Sequence, residues 1–276
     1  MQLASKAVEN NSTLKVASLG SGSKGNATLV SNGEVIVMVD CGFTVKEVLK
    51  RLPRLNIEPD QIDGILVTHE HQDHISGVGA LSRRFSIPVW STRGSLLSGK
   101  CGNLPELNLI EGFQPFSIGS LDVTPLSVPH DAREPCQFLF TQDELRLAIL
   151  TDLGCFTPKI VEQLTPCHGI LLECNHDEEM LWNGSYPERL KQRVAGRMGH
   201  MSNRQAIELL QLMDRDSLQL VIATHLSEQN NCPKLVSTLL AETLSWPVER
   251  LKIAGQDSGF GWQEIGLNSS IRAESA

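Results

Sequence analysis

From Thr68 to His74 the chain reads Thr68-His69-Glu70-His71-Gln72-Asp73-His74. Within these few residues stand three imidazoles and a carboxylate at His69, His71, Asp73 and His74, all ligand types for zinc, manganese or iron. In an extended stretch His69 and His71 point to one side, and a tightening turn beyond them swings Asp73 and His74 toward a second position. The spacing predicts two neighbouring metal positions. A polar loop whose histidines merely cap the next helix would explain one isolated histidine, but not four donors packed this closely.

Two ions need further donors, and the chain offers them where apolar runs end. They are His130 in Val128-Pro129-His130-Asp131, Asp152 in Leu150-Thr151-Asp152-Leu153-Gly154, and His225 in Ala223-Thr224-His225-Leu226-Ser227. Taken singly, each reads equally well as a satisfied surface or core polar residue. Beside the first motif, the three together favour ligation.

The H-x-H-x-D-H motif with a downstream His, Asp and His resembles the metallo-β-lactamase superfamily over nearly the whole chain. The resemblance implies an α/β fold, the αββα four-layer sandwich. On its pattern His69, His71 and His130 hold one metal, Asp73, His74 and His225 the other, and Asp152 bridges. More narrowly, Gly20-Ser21-Gly22-Ser23-Lys24-Gly25-Asn26, Glu173-Cys174-Asn175-His176-Asp177, Gly199-His200-Met201-Ser202-Asn203 and His225-Leu226-Ser227-Glu228-Gln229-Asn230-Asn231 are similar to the YycJ/WalJ-type subfamily. That group is associated with exonucleolytic attack on DNA, and its relatives include phosphodiesterases. The similarity marks Asn26, His176, His200, Ser202 and Asn231 as candidates on the substrate side.

Gly20–Asn26 lies between two short strands with no helix directly after it, so it reads as a tight turn rather than a nucleotide loop, and the resemblance implies that Asn26 buttresses the metal loops. His200 stands just ahead of Ser202, a fitting N-cap for a helix over 203–213, where an imidazole and backbone N–H groups would face an anion. It is the main catalytic candidate besides the ligands, and a histidine serving only the cap is the plainer alternative. His168, ahead of an apolar strand, reads as structural. Between Tyr186 and Arg204, Arg189, Lys191, Arg193, Arg197 and Arg204 stand against Glu188 alone, five positive charges less one, a net +4. Such an island suits a polyanion, or equally a solvated helix face.

The elements that must hold these residues follow from patterning. Leu14–Leu19, Ala27–Val30 and Glu34–Asp40 read as short strands, Thr44–Leu55 as a helix, and Gly64–Thr68 as a buried strand directly ahead of the motif. A helix over 77–85 and a strand over 88–92 come next, then a β-rich stretch over 107–152. The second half alternates helices (158–164, 187–195, 203–213, 233–243) with strands (169–174, 218–224). A last strand pair, 248–254 with 260–265, closes it. Both halves run from strands into helices, which fits two sheets packed face to face with helices outside. One domain over residues 14–266 is expected, between a flexible segment 1–13 and a flexible tail 267–276.

Composition is ordinary for a globular chain, with 41% hydrophobic and 20% charged residues, and the net charge of −8 argues against a surface coated to hold long nucleic acid. No apolar run reaches the ~20 residues of a membrane span. Met1 to Thr13 lacks the basic-then-apolar order of a secretory signal, so a cytoplasmic location is expected. The seven cysteines are scattered without a C-x-x-C pair, which suggests core thiols rather than disulfides or a zinc knuckle. The expected activity is hydrolysis of a phosphodiester, most simply by a DNA exonuclease, with two zinc or manganese ions (iron is a third option) and a metal-bridging hydroxide oriented by Asp73 and Asp152. DNA is favoured over RNA, and a small phosphodiester is also open. The chief rival keeps the metals and attacks the carbonyl of a thioester or lactone. A diiron redox module fits less well, since His71 stands where relatives of that type carry glutamate. Polarity and oligomeric state are left open.

Overall fold

The computed structural model describes residues 12–267. The expected flexible ends lie almost wholly outside these, although Thr13 already belongs to the first strand. Two seven-stranded sheets form the centre. The first comprises β1 (Thr13–Gly20), β2 (Ala27–Ser31), β3 (Ile36–Val39), β4 (Gly64–Leu66), β5 (Val89–Ser91), β6 (Leu107–Leu109) and the last strand β14 (Phe260–Gly266), which pairs with β1. The second comprises β7 (Phe116–Ile118), β8 (Leu121–Ser127), β9 (Cys136–Gln142), β10 (Leu145–Leu150), β11 (Gly169–Glu173), β12 (Leu220–Thr224) and β13 (Lys252–Ile253).

Strand alternation makes the layers. In β10 and β11, Ile149 and Leu171 point into the core shared by both sheets, with Val37, Leu66 and Phe138, whereas Ala148, Leu150, Ile170 and Leu172 point outward. The outward faces are covered by helices. Val48 of α1 (Val45–Arg51) and Val78 and Leu81 of α3 (Val78–Phe85) cover Met38 and Ile65 on the first sheet; the single turn α2 (Gln72–Ile75) precedes α3. After the short α4 (Arg93–Leu96), the second sheet is covered by Ile160 of α5 (Pro158–Gln163), Ala206, Leu209 and Leu210 of α8 (Asn203–Leu212), and Val236 and Leu240 of α9 (Pro233–Leu244). Between α5 and α8 lie α6 (Glu178–Asn183) and α7 (Glu188–Val194). The result is the expected αββα order. Five of the seven cysteines are buried, which suits thiols used as small core groups.

Two expectations are corrected. The helix expected over 44–55 ends at Arg51 and continues as a 3-10 turn over Leu52–Leu55, because Pro53 has no N–H to extend the α pattern. The expected last strand pair does not form. Val248–Arg250 is a 3-10 turn after Pro247, β13 joins β12 in one sheet, and β14 joins β1 in the other. The chain changes sheets between them, so Ala254 and Ile265 both reach the intersheet core.

The topology brings the strand ends that matter to one edge. β3 and β4 are parallel; β10, β11 and β12 are parallel; and β8, antiparallel to β9, runs the same way as β10. Asp40, the motif loop, His130, Asp152, Glu173 and His225 all lie at or just past the carboxyl ends of these strands. That is where layered α/β folds place ligands. Among the described residues, no helix is long and apolar enough to cross a membrane.

Candidate metal centre

The motif loop leaves β4 through Thr68 and turns at once into α2, with His71 as its N-cap residue. Asp40 closes β3, and its carboxylate accepts from the Thr68 N–H at 2.8 Å and from the Thr68 hydroxyl at 2.7 Å, while His74 Nδ1 lies 2.7 Å away. Asn26 ties the glycine turn to the same loop. Its N–H donates to the Asp73 carbonyl at 2.8 Å, and its Nδ2 lies 3.1 Å from His74 Nε2. Asn26 is buried and stands behind the ligands, as a buttress.

The five histidines and two aspartates named for the metals converge. Donor atoms of His69, His71 and His130 lie within 4.8 Å of one another, as do those of Asp73, His74 and His225, and those of His69, His74 and Asp152. A fourth group, Asp152, Glu173, His200 and His225, overlaps these through Asp152 and His225. His71 Nδ1 and His130 Nε2 are 3.2 Å apart, and His74 Nε2 is 2.8 Å from Asp152 Oδ2 and 3.4 Å from Asp73 Oδ2. His69 Nε2 and His225 Nε2 are buried with no hydrogen-bond partner. Buried polar nitrogens without partners are costly. This donor set of imidazoles and carboxylates fits a divalent cation.

Burial opposes charge on His74, yet Asp152 and Asp40 outweigh it and hold its pKa well above the ordinary histidine value. His225, buried beside Asp152, Asp73 and Glu173, is lifted against burial to about 9. His69, with burial and the neighbouring His74 acting together, is pushed well below the ordinary value. The carboxyl of Asp152 is held far below its usual range, against burial, by His225 and His74.

Three site residues at strand ends, Asp40, Asp152 and His225, adopt left-handed backbone with φ of 59°, 52° and 53°. Asp and His tolerate this region better than most residues, and such strain concentrates where a site demands it.

His200 joins the same cluster. Its Nδ1 lies 2.8 Å from Glu173 Oε1 and 3.2 Å from Asp152 Oδ1, and against its burial Glu173 and then Asp152 lift it to about 10. Ser202 is the N-cap of α8, with a capping box to Gln205. His176 is buried, with Nδ1 unpartnered, and burial lowers its pKa to about 4. Asn231 is placed differently from the histidines. Its amide donates to the Cys174 carbonyl and the Asn203 side chain, and its Oδ1 accepts from Asn203 and the Cys232 N–H, so it braces the loops after β11 and β12. His168 is structural as expected: its Nδ1 accepts from the Arg146 N–H.

The family model for the beta-lactamase superfamily domain matches residues 36–226, from β3 to just past His225. The chain belongs to the metallo-β-lactamase superfamily. Within it, the exodeoxyribonuclease YycJ of Bacillus anthracis is 32% identical over 249 residues, covering 88% of this chain and 89% of that protein. The exodeoxyribonuclease WalJ of Streptococcus pneumoniae (strain D39) is 31% identical over 238 residues, covering 84% and 88%. Among solved structures, the metallo-beta-lactamase fold protein YhfI of Bacillus subtilis superposes with a TM-score of 0.71 at 18% identity, over 92% of this chain and all of that one, a likeness of fold.

Within this superfamily frame, two residues of the site were missed by the sequence reading. Asp40 ends an apolar strand just as Asp152 and His225 do, and that pattern was its signal. Glu173 ends Gly169-Ile170-Leu171-Leu172 in the same manner. Fully buried, it accepts from the Leu153 N–H at 3.0 Å and the Met201 N–H at 3.2 Å while its other oxygen faces His200 and His225.

Proposed function

We propose that this metallo-β-lactamase superfamily hydrolase is a two-metal phosphodiesterase that degrades DNA from an end, as one cytoplasmic domain. The observation that carries the reading is the convergence of five imidazoles and two carboxylates into two adjoining donor sets with buried, unpartnered nitrogens. The named activities of the YycJ and WalJ relatives support DNA over RNA as the substrate.

Divalent ions held by His69, His71 and His130 and by Asp73, His74 and His225 would supply a hydroxide near neutral pH and offset charge on the phosphoryl transition state, and zinc and manganese both suit these donors. The chain supplies the rest. Asp152 and Asp73 accept from the attacking water and fix its direction. Asp40 holds His74 through Nδ1 and leaves Nε2 for the centre, a carboxylate–histidine pairing that sets ring orientation. His200, tied through Nδ1 to Glu173 and Asp152, keeps a proton to give to the departing oxygen.

The test is degradation of 5′- and 3′-end-labelled DNA by metal-free protein restored with manganese or zinc, with His69→Ala and Asp152→Ala beside it. Metal-dependent loss of one label ahead of the other, absent from both variants, is expected. Silence toward DNA and toward bis(p-nitrophenyl) phosphate, with turnover of a thioester or lactone, would overturn the phosphodiesterase reading.

A further inference from the structure

His69, His74, His130, Asp152 and His225 are buried, whereas the side chains of His71, Asp73 and Asp131 remain 27%, 23% and 31% exposed. The cluster therefore opens toward solvent on the side of these three, and a substrate must arrive there. On that side stands Arg193, near the end of α7. Its Nε donates to Asp131 Oδ2 at 2.6 Å, and its side chain is 52% exposed. Asp131 Oδ1 lies 3.4 Å from His130 Nε2 and 3.7 Å from His71 Nε2, so a single carboxylate separates the guanidinium from two histidines of the cluster.

Among the described residues, neither Nη nitrogen of Arg193 makes a hydrogen bond. Others of the basic island are committed elsewhere: Lys191 Nζ donates to the Trp182 carbonyl, and Arg204 pairs with Glu178 and Glu208. A guanidinium fixed at Nε and open at both Nη positions presents the planar fork that matches two oxygens of a phosphate. Because Asp131 already orients it, little side-chain freedom is lost when an anion binds. We propose that Arg193, aimed by Asp131, grips a phosphate that flanks the reacting one in a polynucleotide strand. The intervening carboxylate sets the guanidinium aside from the reacting position, so the phosphate within its reach is a neighbour.

This inference rests on the phosphodiesterase reading and deepens it. A merely structural role, neutralising Asp131, would leave the kinetics of long and short substrates alike. Arg193→Gln and Arg193→Lys are compared with wild type on end-labelled DNA and on bis(p-nitrophenyl) phosphate, which has no flanking phosphate, with bound metal assayed in each. For Arg193→Gln the KM for DNA should rise about tenfold at unchanged metal content, and the slope of log affinity against log salt should shrink by about 1. Turnover of bis(p-nitrophenyl) phosphate should stay as in wild type, and Arg193→Lys should recover part of the DNA loss. An unchanged KM for DNA, or an equal loss on both substrates, overturns the inference while the phosphodiesterase reading stands. A wild-type protein that hydrolyses bis(p-nitrophenyl) phosphate but not DNA overturns the inference alone, and one silent on both overturns both.

Discussion

At the scale of single residues, His69, His71, Asp73 and His74 were legible from type and spacing, whereas His130, Asp152 and His225 stood out only beside them. Three histidines and an aspartate within six positions have little to do in a core except bind something positive. The residues that aim those donors were harder to see, since an aspartate or glutamate closing an apolar strand is common and only the fold tells which of them face the site. Asp40 and Glu173 belong to this class, as do the hydrogen bonds that tie Asn26 and Asn231 to the loops beside them. Asp40 is the sharpest case. Its carboxylate takes the Thr68 N–H, the Thr68 hydroxyl and His74 Nδ1 together. Removing it in Asp40→Ala strips the buried Thr68 N–H of its acceptor and frees the His74 ring to turn. Metal affinity is expected to fall about 10–100-fold, read by equilibrium dialysis against manganese or zinc. Retention of wild-type affinity would show that His74 needs no such partner.

At the scale of elements, most helices and strands of the second half lie within a few residues of expectation, because their apolar periodicity is strong and Thr157 and Ser202 cap two of them, but the short α6 was not expected. The closing pair failed because periodicity names strands but not their partners. Only the packing of Ala254 and Ile265 into the shared core reveals that the chain changes sheets there. Close approach between loops is equally silent in sequence. A Cβ on Gly42 would lie 1.8 Å from the Asp73 carbonyl oxygen, against the loop that holds two ligands. Gly42→Ala must push that loop away. A loss of about 1–3 kcal/mol in denaturant unfolding is expected, together with weaker metal binding. Gly261→Ala, whose Cβ would meet nothing within 4 Å, is the control.

For the whole molecule, two sheets hold their parallel strand ends at one edge, and the charge gathered there makes stability depend on pH and metal together. Without metal, His225 at about 9 and His200 at about 10 bind protons more tightly folded than unfolded, above the ordinary 6.5. Their contribution is complete below 6.5 and is lost as pH rises through 9 and 10. Glu173, at about 2 against its usual 4.5, contributes in the opposite sense, and that share is lost only as pH falls below 4.5 toward 2. Metal-free protein should therefore lose Tm between pH 6.5 and 10. Added manganese or zinc should stabilise it more as pH rises through 9, because proton and metal compete for His225. Parallel Tm curves with and without metal would contradict this coupling.

The two-metal reading is tested most directly by titrating metal-free protein with manganese while bound metal and bis(p-nitrophenyl) phosphate hydrolysis are followed together. Activity should appear as two ions bind per chain and should be missing from Asp152→Ala. Turnover without metal, full turnover with one ion bound, or silence with two ions bound would contradict it.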